Sequence, residues 1–321
     1  MKDFGEKIAV VTGGGTGMGR ELACQLAAEG CHVAMCDVSE EEMGRTRALA
    51  MSEAPPGTRV TTFVSDVSEE EQVLAFRDAV VSEHKTRHVN LVFNNAGIGG
   101  GGSLLADDRE TWEKTFAVCW YGVYYGTRAF LPLLVESEEG HLVNTSSVNG
   151  FWASLGPMTP HTAYSAAKFA VKGFSEALVT DLRMNAPHVK VSVVMPGHIG
   201  TSIMFNSGRI LGRDIKEMSD DQVEEVRDRL TRMGMPVQNA TNDQVRQAVI
   251  QRAEDFRDKA PMTAAEAAAI ILDGVRKERW RILVGKDAEA IDRLVRETPE
   301  EAYEVAFMQR LLEATQWQIG S

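Results

Sequence analysis

Short apolar runs alternate along most of this chain with longer stretches of helical periodicity. Segments 7–12, 31–36, 59–64, 89–93, 140–146, 190–195 and 281–284 have the length and composition of buried strands. Segments 21–30, 40–51, 69–84, 111–135, 162–184 and 264–277 read as helices. In the first of these, Leu22, Ala23, Leu26 and Ala27 fall on the inner side, and Gly30 is a C-terminal stop. Strand and helix in strict alternation predict an α/β fold, a doubly wound parallel sheet with helices on both faces. Ligands of such folds bind beyond the carboxyl ends of the strands, where Asp37, Asp66, Asn94, Ser147 and Pro196 all fall.

Two regions lie outside this alternation. The segment 202–262 is mostly polar, with an amphipathic stretch at 219–232 (Val223, Val226 and Leu230 on one side) and a second helical stretch at 241–259. It reads as an insertion into a single domain spanning 1–285, either a lid over a bound ligand of some size or a surface insertion that supports folding or assembly. The tail 286–321 reads as two short helices with apolar Ile291, Leu294, Phe307, Leu311 and Leu312. Packing on a neighbouring subunit is the expected role of this tail, with packing inside the same chain as the alternative.

Composition narrows the picture. The chain has 321 residues, enough for a sizeable core, with 44% hydrophobic and 25% charged residues. A net charge of −12 argues against nucleic acid and against an anionic membrane surface as partners. Cys24, Cys31, Cys36 and Cys119 lack metal-ligand spacing, so no metal is expected. The first three read as small core residues in a reducing compartment. No apolar run reaches membrane-spanning length, and the first strand begins close to Met1, leaving no room for a signal peptide. A cytoplasmic location is the expectation.

The chemistry begins after the first strand, at Gly13-Gly14-Gly15-Thr16-Gly17-Met18-Gly19. Strand, glycine loop and helix in this order form a Rossmann-type dinucleotide site. Glycines admit the diphosphate close to the backbone, and the helix N-terminus offers free N–H groups. Asp37, at the tip of the second strand, can accept hydrogen bonds from both ribose hydroxyls and would repel the extra phosphate of NADP, which favours NAD. The competing reading is that Asp37 only starts the turn 37–39. Tyr164 and Lys168, four residues apart, share one helix face. An ammonium beside a phenol favours the phenolate and lowers a pKa that is ordinarily about 10. Such a pair suits proton transfer with an alcohol or a carbonyl.

These motifs, in this order and nearly this spacing, resemble the short-chain dehydrogenase/reductase family. They are Thr12-Gly13 with Gly17-Met18-Gly19, Asp66-Val67, Asn94-Asn95-Ala96-Gly97, Ser146-Ser147, Tyr164 with Lys168, and Pro196-Gly197 with Thr201. The resemblance covers about residues 5–205 and returns at 264–285. It implies that Gly13, Gly17 and Gly19 line the diphosphate, with Met18 in the same loop. Asp66 reaches the adenine with Val67 beside it. Asn94, Ala96 and Gly97 support the adenosine side of the cleft. It further implies that Ser147 binds the substrate oxygen and Tyr164 is the acid/base. Lys168 binds the nicotinamide ribose and lowers the Tyr164 pKa. Pro196 and Gly197 shape the strand end beneath the nicotinamide, and Ile199 and Thr201 hold the carboxamide.

One position departs from the family pattern. Cys119 stands where an Asn is common, an Asn thought to hold a water that relays protons to the lysine. A thiol cannot reproduce an amide's two-sided bonding. Either the water is held another way, the proton path differs, or turnover is slow; the first fits best with Ser147, Tyr164 and Lys168 all present. Between Ser147 and Tyr164, apolar Phe151, Trp152, Leu155 and Met158 lie close to the expected hydride-transfer point, with Met204 and Phe205 across the cleft. Asn149, Trp152, Met158, His198, Met204 and Phe205 are therefore candidate substrate contacts, with His161 near the same mouth; core packing is the alternative for Phe151 and Trp152, and a structural or solvated role for the two histidines. The implied function is hydride transfer between NAD and a fairly large apolar or aromatic secondary alcohol or ketone, in a homodimer or homotetramer. An NADPH-dependent carbonyl reductase, an epimerase or dehydratase on the same scaffold, and a non-catalytic NAD-binding protein are the alternatives.

Overall fold

The computed structural model describes residues 1–156, 159–232 and 234–315. Its strands are β1 (Ile8–Thr12), β2 (His32–Asp37), β3 (Val60–Val64), β4 (Leu91–Asn94), β5 (Gly140–Thr145), β6 (Val189–Pro196), β7 (Ile199–Gly200), β8 (Met262–Thr263) and β9 (Arg281–Val284). Seven of them form one sheet in the order β3-β2-β1-β4-β5-β6-β9, and every neighbouring pair is parallel. The strand order reverses between β1 and β4, and the crevice there opens at the carboxyl ends. The short β7 and β8 pair separately, beside the cleft.

Strand alternation divides the core into two layers. Ala9, Val11, Val33 and Met35 face the layer built with α1 (Gly17–Ala28) and α10 (Ala264–Arg276), which contributes Leu22, Leu26, Ile271, Leu272 and Val275. Ile8, Val10, Ala34 and Cys36 face the opposite layer. That layer takes Phe76 and Val80 from α3 (Glu70–His84), Phe130 and Leu134 from α5 (Gly122–Val135), and Leu178 and Leu182 from α6 (Thr162–Asn185). α2 (Glu40–Glu53) covers the β2–β3 edge, its N-terminus capped by Ser39. The stretch expected as one helix over 111–135 is interrupted. It comprises α4 (Arg109–Phe116), a π-helical turn Ala117–Tyr121, and then α5. Turns of this kind insert one extra residue per hydrogen-bonded ring and concentrate at functional sites.

The segment 202–262, the expected lid, contains α7 (Ile203–Ile210), α8 (Asp220–Arg232) and α9 (Asn242–Asp258). Its apolar contacts are two small clusters, Phe205–Ile215–Ala253 and Met218–Val223–Val245. The tail folds as α11 (Lys286–Glu297) and α12 (Val305–Ala314). Its apolar side packs inside the same chain, the alternative among the two expectations for it. Ile291, Leu294, Phe307, Met308 and Leu311 pack on Val148 and Trp152 of the same chain, because the loop after β5 presents an apolar surface beside them. Residues 316–321, the end of the expected tail, lie outside the described residues. No helix among the described residues is long and apolar enough to cross a membrane.

Candidate active site

The glycine loop is built by close approach. Gly13 has φ +67°, and a Cβ on it would stand 2.8 Å from the Ala96 Cα. A Cβ on Gly19 would stand 2.0 Å from the Gly13 carbonyl oxygen, and one on Gly17 (φ +55°) would stand 3.1 Å from the Thr201 side chain. Side chains at these positions would fill the space where a diphosphate meets the N-terminus of α1. Thr12 stitches β1 to β4, its Oγ1 accepting the N–H groups of Asn95 and Ala96 at 3.0 Å each. Thr16, Gly17, Gly200, Thr201 and Ser202 border a cleft of about 360 Å³ above this loop. The residues present thus fit a dinucleotide.

Asp37 closes the loop from the side. Its carboxylate accepts the Gly15 N–H at 3.0 Å and the Ser39 N–H at 3.1 Å, so it serves both the turn and the loop. Arg20, the cation nearest the glycines, is engaged by the Gly15 carbonyl and by Glu42 at 2.7 Å. The Asp66 carboxylate accepts from the Ser68 N–H and hydroxyl and from Lys114 at 2.6 Å. Burial alone would raise its pKa, but Lys114 and Ser68 outweigh burial and hold it below the usual carboxylate range. Val67 packs where Gly122 leaves room, since a Cβ there would come within 2.7 Å of it. Asn94 is buried and donates to Asn144 (2.8 Å) and Thr127 (3.1 Å), bracing β4, β5 and α5 under the cleft.

Ser147 follows β5 and Tyr164 opens α6. The Ser147 hydroxyl lies within hydrogen-bonding reach of the phenol and accepts the Asn149 N–H at 3.1 Å. Lys168 is buried, donates to the Thr145 carbonyl at 2.9 Å, and has its Nζ 5.4 Å from the Tyr164 ring centre. Gly97 admits it: a Cβ there would be 3.4 Å from Nζ and 3.8 Å from the Cys119 Sγ. Gly97, Cys119, Ser147, Tyr164 and Lys168 thus converge. The expected depression of the Tyr164 pKa is not seen in this site. Burial pushes the phenol up, negative charge at Cys119 would push the same way, and the Ser147 bond only opposes them. Burial likewise lowers the Lys168 ammonium. Removing solvent from both charged forms outweighs the lysine's field.

Cys119 sits in the π-helical turn, fully buried, its thiol donating to the Ile98 carbonyl at 3.1 Å. The side chain thus ties the helix to the loop after β4.

Several candidate substrate contacts are placed elsewhere. Trp152 is turned away from the cleft, and its indole N–H donates to the Ala302 carbonyl at 2.7 Å with the ring against Phe307. The Asn149 amide donates to the Trp152 and Ser154 carbonyls, holding the loop's own shape. His198 is buried, its Nε2 on the Phe256 carbonyl at 2.8 Å. Phe205 is buried in the lid cluster, with Met204 against it. Met158 lies outside the described residues. His161 does reach the centre: its ring stacks on Tyr164 with 4.7 Å between centroids, and burial lowers its pKa to about 4, so it is neutral at pH 7.

Pro196 ends β6, Gly197 follows it, and Ile199 begins β7. The constraint on Gly197 comes from a residue that pattern reading missed. A Cβ there would stand 2.2 Å from an Asp287 carboxylate oxygen. That carboxylate, at the start of α11, accepts the His198 N–H at 2.6 Å and the Ala288 N–H at 2.9 Å. The only sequence signal was an acid following Gly285 at a helix start. Lys114 was missed for the same reason, since its partner Asp66 is 48 residues away.

Residues 7–209 match the short chain dehydrogenase family. The chain belongs to this family of oxidoreductases, which work with a nicotinamide cofactor. A Mycobacterium tuberculosis protein named SadH, described as an oxidoreductase, is 35% identical over 297 residues, covering 92% of each chain. Levodione reductase of Leifsonia aquatica is 32% identical over 205 residues, 64% of this chain and 73% of that protein. A short chain dehydrogenase/reductase from Burkholderia phymatum, solved in complex with NAD, superimposes with a TM-score of 0.74 at 29% identity. The match covers 94% of this chain and 96% of that one.

Proposed function

We propose that this protein is an NAD-dependent dehydrogenase that interconverts a fairly large, apolar or aromatic secondary alcohol and its ketone. The observation that carries the reading is the convergence of Ser147, Tyr164 and Lys168 beyond the carboxyl ends of the same parallel sheet that carries the glycine loop and Asp37 at its strand ends. Ser147 holds the substrate oxygen, and Tyr164 takes the hydroxyl proton or returns it to the carbonyl. Lys168 holds a ribose hydroxyl and supplies positive charge beside the phenol. The bound oxidised nicotinamide supplies the hydride acceptor and a second positive charge. Because burial raises the phenol pKa, those two charges are what make Tyr164 a base near neutral pH. NAD is favoured over NADP because Asp37, beside the glycine loop, would repel a 2′-phosphate, and Arg20, the cation nearest the glycines, is already committed to Glu42. The lid at 202–262, set over the cleft, favours a substrate of some size.

The test is NADH formation across a panel of bulky secondary alcohols, with NADP in parallel. Turnover with NAD is expected. Tyr164→Phe is expected to lower kcat by roughly 10²–10⁴-fold while NADH still binds; retained turnover in this variant would sink the role given to Tyr164. We also propose a homo-oligomer assembled through the aromatic face of the π-helical turn, α5 and α6, where Tyr121 and Phe169 are 41% and 42% exposed. Light scattering that returns a monomer mass would reject it. Four unpaired cysteines favour the cytoplasm as its compartment.

A further inference from the structure

The lid carries cations that its own ion pairs do not use. Four of the eight arginines of this segment are paired: Arg213 with Asp108, Arg227 with Glu224, Arg246 with Asp220 and Asp243, and Arg257 with Asp258. Arg209, in the last turn of α7, has no carboxylate within ion-pair distance among the described residues. Its guanidinium donates to the Asn206 Oδ1 at 2.6 Å. The Asn206 amide in turn donates to the Thr16 hydroxyl at 2.9 Å, inside the glycine loop. Thr16, Asn206 and Arg209 thus form a polar relay from the loop into the lid. Arg209 lines the 360 Å³ cleft above the loop and also the adjoining cavity of about 250 Å³, together with Ser202 and Lys216. Of the other cations around these spaces, Arg20, Arg45 and Arg257 are paired with carboxylates. Lys216 lies over the Phe205 ring. Glu42 and Asp214 supply negative charge at the rim.

We propose that Arg209 is a ligand for the cofactor's diphosphate, so that the lid helix α7 and the glycine loop grip the dinucleotide from opposite sides. A guanidinium left without a carboxylate matches a phosphate's planar pair of oxygens, and the N-terminus of α1 supplies donors from below. Asn206 orients the guanidinium by accepting from it and fixes α7 to Thr16. The cofactor thereby becomes part of the lid's foundation, and the lid is ordered for substrate once the dinucleotide is in place. This rests on the dinucleotide-binding reading given above.

The test is the Kd of NADH, ADP-ribose and adenosine, by fluorescence titration and by competition, in the unsubstituted protein, Arg209→Ala and Arg209→Lys. Arg209→Ala is expected to weaken NADH and ADP-ribose by roughly ten- to a hundredfold. Adenosine, which lacks phosphate, is expected to bind alike, and Arg209→Lys to recover part of the loss. The ligand-free Tm of Arg209→Ala should match that of the unsubstituted protein. An NADH Kd within twofold of the unsubstituted value, or an equal loss for adenosine, would overturn the assignment. Failure of the unsubstituted protein to bind any dinucleotide would instead overturn the dinucleotide reading beneath it.

Discussion

The lid and the tail both stand outside the minimal sheet, yet they are attached by different physics. The tail is held by apolar burial. Phe307, Ile291 and Leu311 are each 0% exposed and close over Trp152, which is itself inside the loop that links Ser147 to Tyr164. The lid is held by two clusters of about three buried side chains each, surface ion pairs, and polar stitches such as Asn206 on Thr16 and the Gly99 N–H on the Ser207 hydroxyl. Burial is worth about 25 cal/mol per Å² of apolar surface, whereas exposed ion pairs contribute about 0–1 kcal/mol each. The tail is therefore a cap on the loop after β5, and the sparse apolar packing of segment 202–262 makes it the part expected to open more readily. Length or position in sequence would not have sorted the two.

The largest test of this contrast is Trp152→Ala set beside Val223→Ala. The tryptophan change opens a cavity under the tail and strands the Ala302 carbonyl. It is expected to cost about 3–5 kcal/mol of global stability, seen as a lowered Tm and urea midpoint. Val223, fully buried in the lid, is expected to speed proteolysis within 202–262 while leaving the global transition nearly unmoved. Equal global shifts for both would break the distinction. Next in size is Asp287→Ala, which removes the carboxylate through which the tail holds the loop after β6 and leaves the buried His198 N–H unpaired. A loss of about 1–3 kcal/mol and weaker NADH binding are expected. Unchanged NADH affinity would confine Asp287 to stability.

The smallest effect is a pH dependence at the junction of the two regions. His198 meets the tail through its main chain and the lid through its ring, which donates from Nε2 to the Phe256 carbonyl at the end of α9. Burial lowers its pKa, with the Phe256 bond and the Asp287 charge opposing. A folded-state pKa below the unfolded value near 6.5 means that its contribution is full above about pH 6.5 and is lost as pH falls from there towards the folded pKa. Protease sensitivity of the lid is expected to rise as pH drops from about 7 towards 5, and to rise less in His198→Gln. A pH-independent digestion rate would remove His198 from this junction.

Much of the scaffold was legible in one dimension. Each of the seven strands of the main sheet falls within a few residues of its apolar run, because burial on both faces demands unbroken apolar sequence. The glycine loop could be read because close backbone approach excludes every other residue type at Gly13 and Gly19. Tyr164 and Lys168 could be paired because helical spacing is local. Substrate-side contacts were not legible. Trp152 looked like a pocket wall, but apolarity alone does not say which way a loop residue turns, and α11 and α12 offered it a drier partner.

By itself, then, the sequence determined the sheet and the family, and it named the residues proposed for the dinucleotide and for acid/base work, because these depend on short-range periodicity or on steric exclusion. Tertiary structure alone decided the rest. It set the direction of the Tyr164 pKa, where burial overrides the charge four residues on. It placed Asp287 beneath Gly197, some 90 residues earlier in the chain, and attached the tail to its own catalytic loop. Desolvation and side-chain direction depend on every element packed around a residue, and no local pattern carries that information.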